Sequence, residues 1–214
     1  MSYLQFAADG MDLDGALKLA DVFHEVIDIF EVGTPLIIRS GLETVRRLKA
    51  NHPDMTVLAD TKIVDGGKIE CGDACDAGAD IVTVLAFADD AVVRGVIDTA
   101  HARRRKVMAD LIHIRDIESR ALHMLELGVD YICVHTAYDL QAEGRTPLWE
   151  LERLIRCLPG ERLAVAGGIH DDTIDDYLVF RPGIVIMGSA LYSASDPYTA
   201  AMNAKRHISI YGKR

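Results

Sequence analysis

No stretch of the 214 residues is long and apolar enough to span a bilayer. The first residues likewise offer no basic segment followed by an apolar one to serve as a signal peptide. Cationic charge is scarce: 23 Lys and Arg stand against 33 Asp and Glu, a formal net charge of −10 with a pI near 5.2. That balance argues against nucleic acid or an anionic membrane as partner, because polyanions reward clustered Lys and Arg. The one basic run, Arg103-Arg104-Arg105-Lys106, reads as a solvated helix end just before a strand, where cations also complement the helix dipole. The four cysteines contain no C-x-x-C pair; Cys71 and Cys75 lie one helical turn apart, but no nearby Cys or His completes a metal site. Buried free thiols in a cytosolic protein are the expectation for all four, Cys133 and Cys157 included. Also missing is a G-x-G-x-x-G after the first apolar run, which removes the main support for a doubly wound dinucleotide fold.

What the chain does contain is a regular alternation. Apolar runs at 3–8, 26–32, 56–59, 81–85, 107–111, 131–134, 163–166 and 184–187 are separated by amphipathic helical patterns. The helical stretches are 13–24, 42–51, 69–77, 91–104, 118–127, 148–158, 172–180 and 200–210. Helices of that length between nearly continuous apolar strands mark βαβ units with a parallel sheet. Eight units close a (β/α)8 barrel, the α/β fold expected here, and no linker or low-complexity segment divides residues 1–214 into more than one domain. Gly78-Ala79-Asp80 and Gly128-Val129-Asp130 repeat one form, a helix C-capping glycine followed by entry to the next strand. Glu143-Gly144-Arg145-Thr146-Pro147 is the longest candidate loop.

The chemistry concentrates in Val57-Leu58-Ala59-Asp60-Thr61-Lys62-Ile63-Val64-Asp65-Gly66-Gly67, where an apolar strand runs into carboxylates that bracket a lysine. Side chains i and i+2 of a strand share a face, so Asp60 and Lys62 should point together, while Asp65 falls in the loop beyond. A lysine so flanked is held protonated, suited to stabilising negative charge and unsuited to Schiff-base chemistry. Barrel active sites are built at strand C-terminal ends, where the ionisable residues are Asp9, Glu31, Asp60 with Lys62, Asp110 and His135. Glycine-rich turns end the last two runs, Ala166-Gly167-Gly168 and Gly188-Ser189-Ala190. Loops after strands seven and eight of such barrels commonly cradle a phosphate, which makes Gly167, Gly168, Gly188 and Ser189 candidate phosphate-binding residues.

Together, Glu31-Val-Gly-Thr-Pro, Ala59-Asp60-Thr-Lys62-Ile-Val-Asp65-Gly-Gly, Asp110-Leu-Ile, Val134-His135 with Asp139-Leu-Gln-Ala, Val165-Ala-Gly-Gly-Ile and Gly188-Ser-Ala-Leu-Tyr with Asp196-Pro resemble the 3-hexulose-6-phosphate synthases over nearly the whole chain. The resemblance extends to 3-keto-L-gulonate-6-phosphate decarboxylase and, more distantly, to orotidine monophosphate decarboxylase. It implies a homodimeric barrel that binds Mg²⁺ through Glu31 and Asp60, with Lys62 beside the substrate oxygens and Asp65 reaching into the neighbouring subunit's site. Asp9, Asp110 and His135 would line the pocket. The implied reaction is aldol condensation of formaldehyde with ribulose 5-phosphate through a 1,2-enediolate. The decarboxylase would instead make its enediolate by losing CO₂. Asp110 stands where decarboxylases usually carry Glu, Ala166 where they carry Thr, Tyr138 where they carry Arg, and Ser189 where they often carry a phosphate-binding Arg. These features favour the synthase, and a non-catalytic sugar-phosphate binder would not need the carboxylate-lysine set.

Overall fold

The computed structural model describes residues 2–212. Its strands are β1 (Tyr3–Ala8), β2 (Ile29–Val32), β3 (Thr56–Ile63), β4 (Ile81–Leu85), β5 (Lys106–Asp110), β6 (Tyr131–His135), β7 (Leu163–Ala166) and β8 (Ile184–Met187). They pair in parallel in chain order, and β8 returns to β1, so the sheet closes as a (β/α)8 barrel. The first half carries α1 (Leu13–Phe23), α2 (Thr34–Ser40), α3 (Glu43–Asn51), α4 (Gly67–Asp76) and α5 (Asp90–Ala102). The second carries α6 (Ile117–Leu127), α7 (Tyr138–Gln141), α8 (Leu148–Leu154), α9 (Ile174–Leu178), α10 (Ser189–Tyr192) and α11 (Pro197–Gly212).

Alternation along the strands explains why nearly continuous apolar runs were required. Outward residues such as Leu4, Phe6, Phe30 and Val57 join the large core between sheet and helices, where Phe6 meets Phe23 and Phe30 edge-on. Inward residues form a second, smaller core inside the barrel: Ile29, Leu58, Ile81, Met108, Cys133, Ala164 and Ile184 among them. Continuing up each strand from that plug, the next inward positions are Glu31, Asp60, Thr83, Asp110 and His135. The strand C-terminal ends therefore form a polar floor resting on an apolar plug, the usual position of a barrel's active site.

Four local expectations are revised. The second strand starts at Ile29 and not at 26, because the N–H groups of Val26 and Ile27 both turn back to Phe23 O at the end of α1. The third strand runs on to Ile63 instead of stopping at 59, with an irregular end described below. Arg105 is not a merely solvated member of its basic run, since it ion-pairs with Asp80. Cys157 is exposed, whereas Cys71, Cys75 and Cys133 are buried; all four are free thiols.

Asp80 belongs to a repeated device at the N-terminal end of the barrel. Asp28, Asp80 and Asp130 each immediately precede an even-numbered strand. Each accepts a backbone N–H from the strand before: Leu4 N to Asp28 at 2.7 Å, Val57 N to Asp80 at 2.9 Å and Val107 N to Asp130 at 2.8 Å. A basic side chain completes every one, Lys205 on Asp28 (2.6 Å), Lys49 (3.0 Å) with Arg105 on Asp80, and His101 on Asp130 (2.9 Å).

Candidate active site

The site is set by an irregularity in β3. Leu58 and Ala59 pair with Ile81 and Val82, but the next pair is Ile63 with Val84, so residues 60–62 of β3 stand opposite Thr83 alone. Lys62 takes φ +48°, a left-handed conformation uncommon for a residue with a side chain. The bulge brings Asp60 and Lys62 together as expected, the lysine Nζ donating to Asp60 Oδ2. Asp60 is buried, and hydroxyls brace both of its oxygens: Thr83 Oγ1 donates to Oδ1 at 2.9 Å and Thr34 Oγ1 to Oδ2 at 2.8 Å.

Lys62 Nζ also lies 3.7 Å from Asp110 Oδ2. Burial presses the lysine toward neutrality, yet Asp60 and Asp110 more than offset that, and its pKa is raised above the ordinary lysine value. The ammonium stays charged throughout any assay range. Asp110 Oδ2 meets His135 Nδ1 at 2.8 Å, and Oδ1 accepts the Ile112 N–H at 2.9 Å. Burial pushes the Asp110 carboxyl up, but its contacts with His135, Lys62 and Ile112 overcome this and hold it below the usual range. An ionised Asp110 accepting at Nδ1 leaves the Nε2 edge of the imidazole for other work.

The remaining carboxylates lack such compensation. Glu31 is buried, and its pKa is pushed well up, first by desolvation and then by the charges of Asp60 and Asp9. Asp9 is raised for the same reasons, burial first and Asp60 next. Gln5 Nε2 donates to Glu31 Oε2 at 2.6 Å, while the other amide atom, Gln5 Oε1, is buried without a partner among the described residues. Gly33 makes room for the Asp9 carboxylate: a Cβ there would sit 2.0 Å from Asp9 Oδ1. Across the rim, Gly167 is required by φ +123° and by Thr136 O, which a Cβ would approach to 2.9 Å. Gly188 and the exposed Ser189 lead into the short helix α10.

Glu31 and Asp60 are the pair that could hold a divalent cation. No three His, Cys, Asp or Glu side chains among the described residues form a closed metal cage. Two carboxylates in a site otherwise open to substrate suit Mg²⁺, which commonly takes one or two protein carboxylates and fills its octahedron with substrate and water. A surface cleft of about 730 Å³ between the loops after β4 and β5 contains none of these groups. Chemistry, not cavity size, marks the site.

Residues 2–204 match the family model described as orotidine 5'-phosphate decarboxylase / HUMPS. The chain belongs to this family. Within it, the chain is 42% identical over 205 residues to the 3-hexulose-6-phosphate synthase of Bacillus subtilis, covering 96% of this chain and 98% of that one. It is 40% identical over 205 residues to the enzyme of the same name in Staphylococcus aureus strain USA300, with the same coverage. The crystal structure of 3-hexulose-6-phosphate synthase from Salmonella typhimurium superposes with a TM-score of 0.95 at 38% identity, covering 98% of this chain and 99% of that chain. The 3-keto-L-gulonate-6-phosphate decarboxylase of Vibrio cholerae superposes with a TM-score of 0.86 at 26% identity, covering 98% of each. The likeness read from the motifs is therefore shown at the level of family and fold.

Of the residues singled out in the sequence, Asp60, Lys62, Asp110 and His135 form one contact network in this family member, and the charges of Asp9 and Glu31 act on it. Asp65 does not join them: it is exposed, and its Oδ1 accepts the Gly66 N–H at 2.7 Å. Gln5, Thr34 and Thr83 were missed. None has a charge to attract notice, and Gln5 and Thr83 sit inside runs that read as plain strand.

Proposed function

We propose that the protein is an aldehyde-lyase that condenses formaldehyde with ribulose 5-phosphate to give 3-hexulose 6-phosphate. The observation that carries this reading is the Lys62–Asp110–His135 network at the strand ends of a chain about 40% identical to proteins of that name over nearly its whole length. His135, oriented through Nδ1 by Asp110, offers Nε2 to the C1 proton of the sugar phosphate, and loss of that proton gives the 1,2-enediolate. Lys62 stays protonated beside the developing oxyanion, where a fixed cation stabilises the transition state more than the ground state. His135 faces Ala166 in register across β6 and β7, and this small side chain leaves room beside the imidazole for a one-carbon aldehyde. A carbon–carbon bond then forms as the C1 carbanion attacks formaldehyde, whose oxygen takes up the proton.

A Mg²⁺ ion held by Glu31 and Asp60 would supply Lewis-acid stabilisation of adjacent sugar oxygens. Burial first, and then crowding by Asp60 and Asp9, raise the Glu31 pKa, and a bound cation would relieve the repulsive part. The turns at Gly167, Gly168, Gly188 and Ser189 receive the phosphate, with Asp9 on a sugar hydroxyl. The exposed Asp65 fits a homodimer with shared sites, each pocket taking Asp65 from one chain and Lys62 from the other. The enzyme acts in the cytoplasm.

The deciding assay compares formaldehyde plus ribulose 5-phosphate with 3-keto-L-gulonate 6-phosphate. Condensation should dominate by kcat/KM, EDTA should reduce it to background and added Mg²⁺ should restore it. Faster turnover of the gulonate substrate would move the assignment to the decarboxylase, the reading next in line. Asp65→Ala and Lys62→Ala proteins, each nearly inactive, should recover about a quarter of wild-type activity when mixed, since random exchange makes half the dimers mixed with one intact site each. Exchange without recovery would return Asp65 to its own chain.

A further inference from the structure

Thr83 lies on β4 with its side chain inside the barrel, 3% exposed. It faces the three-residue bulge of β3, where regular pairing is lost. Its hydroxyl accepts the Lys62 backbone N–H at 2.9 Å and donates to Asp60 Oδ1 at 2.9 Å. Its carbonyl accepts the Thr61 hydroxyl at 3.0 Å. One residue thus engages all three residues of the bulge.

The geometry has a simple cause. Where three residues face one, β4 cannot supply an acceptor to every N–H of β3, and a buried amide without a partner is costly. The Thr83 hydroxyl stands in for the missing ladder partner. A hydroxyl carries one proton and two lone pairs, so accepting from Lys62 N commits its own proton to the nearest strong acceptor, which is Asp60 Oδ1. The φ of +48° at Lys62, disfavoured for any residue with a Cβ, persists where surrounding contacts over-determine it. That conformation aims the ammonium between Asp60 and Asp110.

We propose that Thr83 is a positioning residue of the active site: its hydroxyl fixes the left-handed turn that aims Lys62 and locks the rotamer of Asp60, and so sets turnover without touching substrate. The inference deepens the condensation reading and rests on it for the kinetic part of its test. Valine matches threonine in shape and lacks the hydroxyl, whereas serine keeps both hydrogen bonds.

In Thr83→Val, kcat for condensation is expected to fall about 30-fold, in the range typical of residues that support a site from behind. KM for ribulose 5-phosphate should change less than about threefold, because the phosphate turns lie across the barrel on β7 and β8. Thr83→Ser should hold kcat within about threefold of wild type, a rescue that bulk packing would not give. A second measurement is independent of the reaction: hydrogen exchange at the Lys62 amide, followed by NMR, should be slow in wild type and Thr83→Ser and fast in Thr83→Val. If the valine variant fails to fold, Thr83→Ala carries the same expectations against serine. Wild-type kcat in the hydroxyl-free variant, or a Lys62 amide as protected as before, overturns the proposal. Wild-type protein inactive on formaldehyde and ribulose 5-phosphate would sink the reaction assignment instead, leaving the amide measurement to decide on Thr83.

Discussion

At the N-terminal end of the barrel Asp28, Asp80 and Asp130 each receive a backbone N–H and a basic side chain. At the C-terminal end Asp9, Glu31, Asp60 and Asp110 crowd around one lysine and one histidine, and the two with least compensation, Asp9 and Glu31, have raised pKa values. Both ends set acidic charge beside strand termini, partly buried at the N-terminal end and more deeply at Glu31, Asp60 and Asp110, so a carboxylate at a strand terminus is not by itself functional. What separates them is the balance of partners. A carboxylate satisfied by strand backbone and peripheral cations holds the fold together, whereas Asp60 and Asp110 are satisfied by Lys62 and His135, the working groups of the site itself. One left in deficit has capacity for a cation, a proton or a substrate hydroxyl. Substitutions at the two ends should therefore have opposite signatures, activity lost above and stability lost below.

Lys62→Ala should produce the largest effect. Removing the only lysine of the network deletes the charge set against the enediolate, and kcat should drop by roughly two to four orders of magnitude, as for other electrostatic stabilisers. Steady-state condensation at saturating substrate is the measurement. A loss of less than about tenfold would show that the lysine is structural, like those of the opposite end.

His135→Asn comes next, with an expected loss of about 100-fold in condensation, the lower range for general acid–base groups. Deuterium wash-out from C1 of ribulose 5-phosphate without formaldehyde isolates proton removal from bond formation. Exchange at the wild-type rate in this variant would exclude His135 as the base and leave Asp65, the carboxylate that a shared-site dimer would bring from the other chain, as the alternative.

The contrast between the ends also explains how far the sequence could be read. Eight apolar runs are long-range regularities, and they survive local error, so the closed barrel was legible even though β2 begins three residues late. The rim residues were legible because a charge within or directly after the end of an apolar run is expensive and stands out. Thr83, Thr34 and Gln5 were not, since neutral side chains, two in strands and Thr34 at the start of α2, report nothing until the strand they face is known. Asp80 and Asp130 were visible only as companions of capping glycines, because their ties to Val57 and Val107 span more than twenty residues of chain. The bulge at residues 60–62 was hidden for the same reason: it is a property of the β3–β4 pair, and Lys62 has no glycine to announce its positive φ.

At the N-terminal end, Asp80→Ala should cost about 2 kcal/mol of stability, below the figure for a fully buried ion pair because the Asp80 side chain is 21% exposed. Lys49 and Arg105 lose their shared partner and the Val57 N–H its acceptor. Urea denaturation at pH 7 measures the loss, and kcat under native conditions should stay within about twofold. A variant that keeps its stability but loses activity would erase the proposed division between the ends.

The smallest effect is the most pointed, because its sign is reversed. Burial and the Asp60 charge raise the Asp9 pKa in the folded chain, so the native state binds this proton more readily than the unfolded chain, where the value is about 3.9. Above its folded pKa, Asp9 must be held ionised against that preference, which costs stability; as the pH falls through the folded value the proton is taken up and the cost fades, disappearing below the unfolded value. Asp9→Asn removes the charge with little change of shape, and at pH 7, in EDTA, it should stabilise the protein by about 0.5 kcal/mol while lowering condensation activity. The gain should shrink as the pH is lowered toward 4. Urea titrations at pH 7 and at successively lower pH test both the sign and the trend. A destabilised variant at pH 7, or a gain that grows on acidification, would mean that Asp9 is as well compensated as the aspartates at the other end of the barrel.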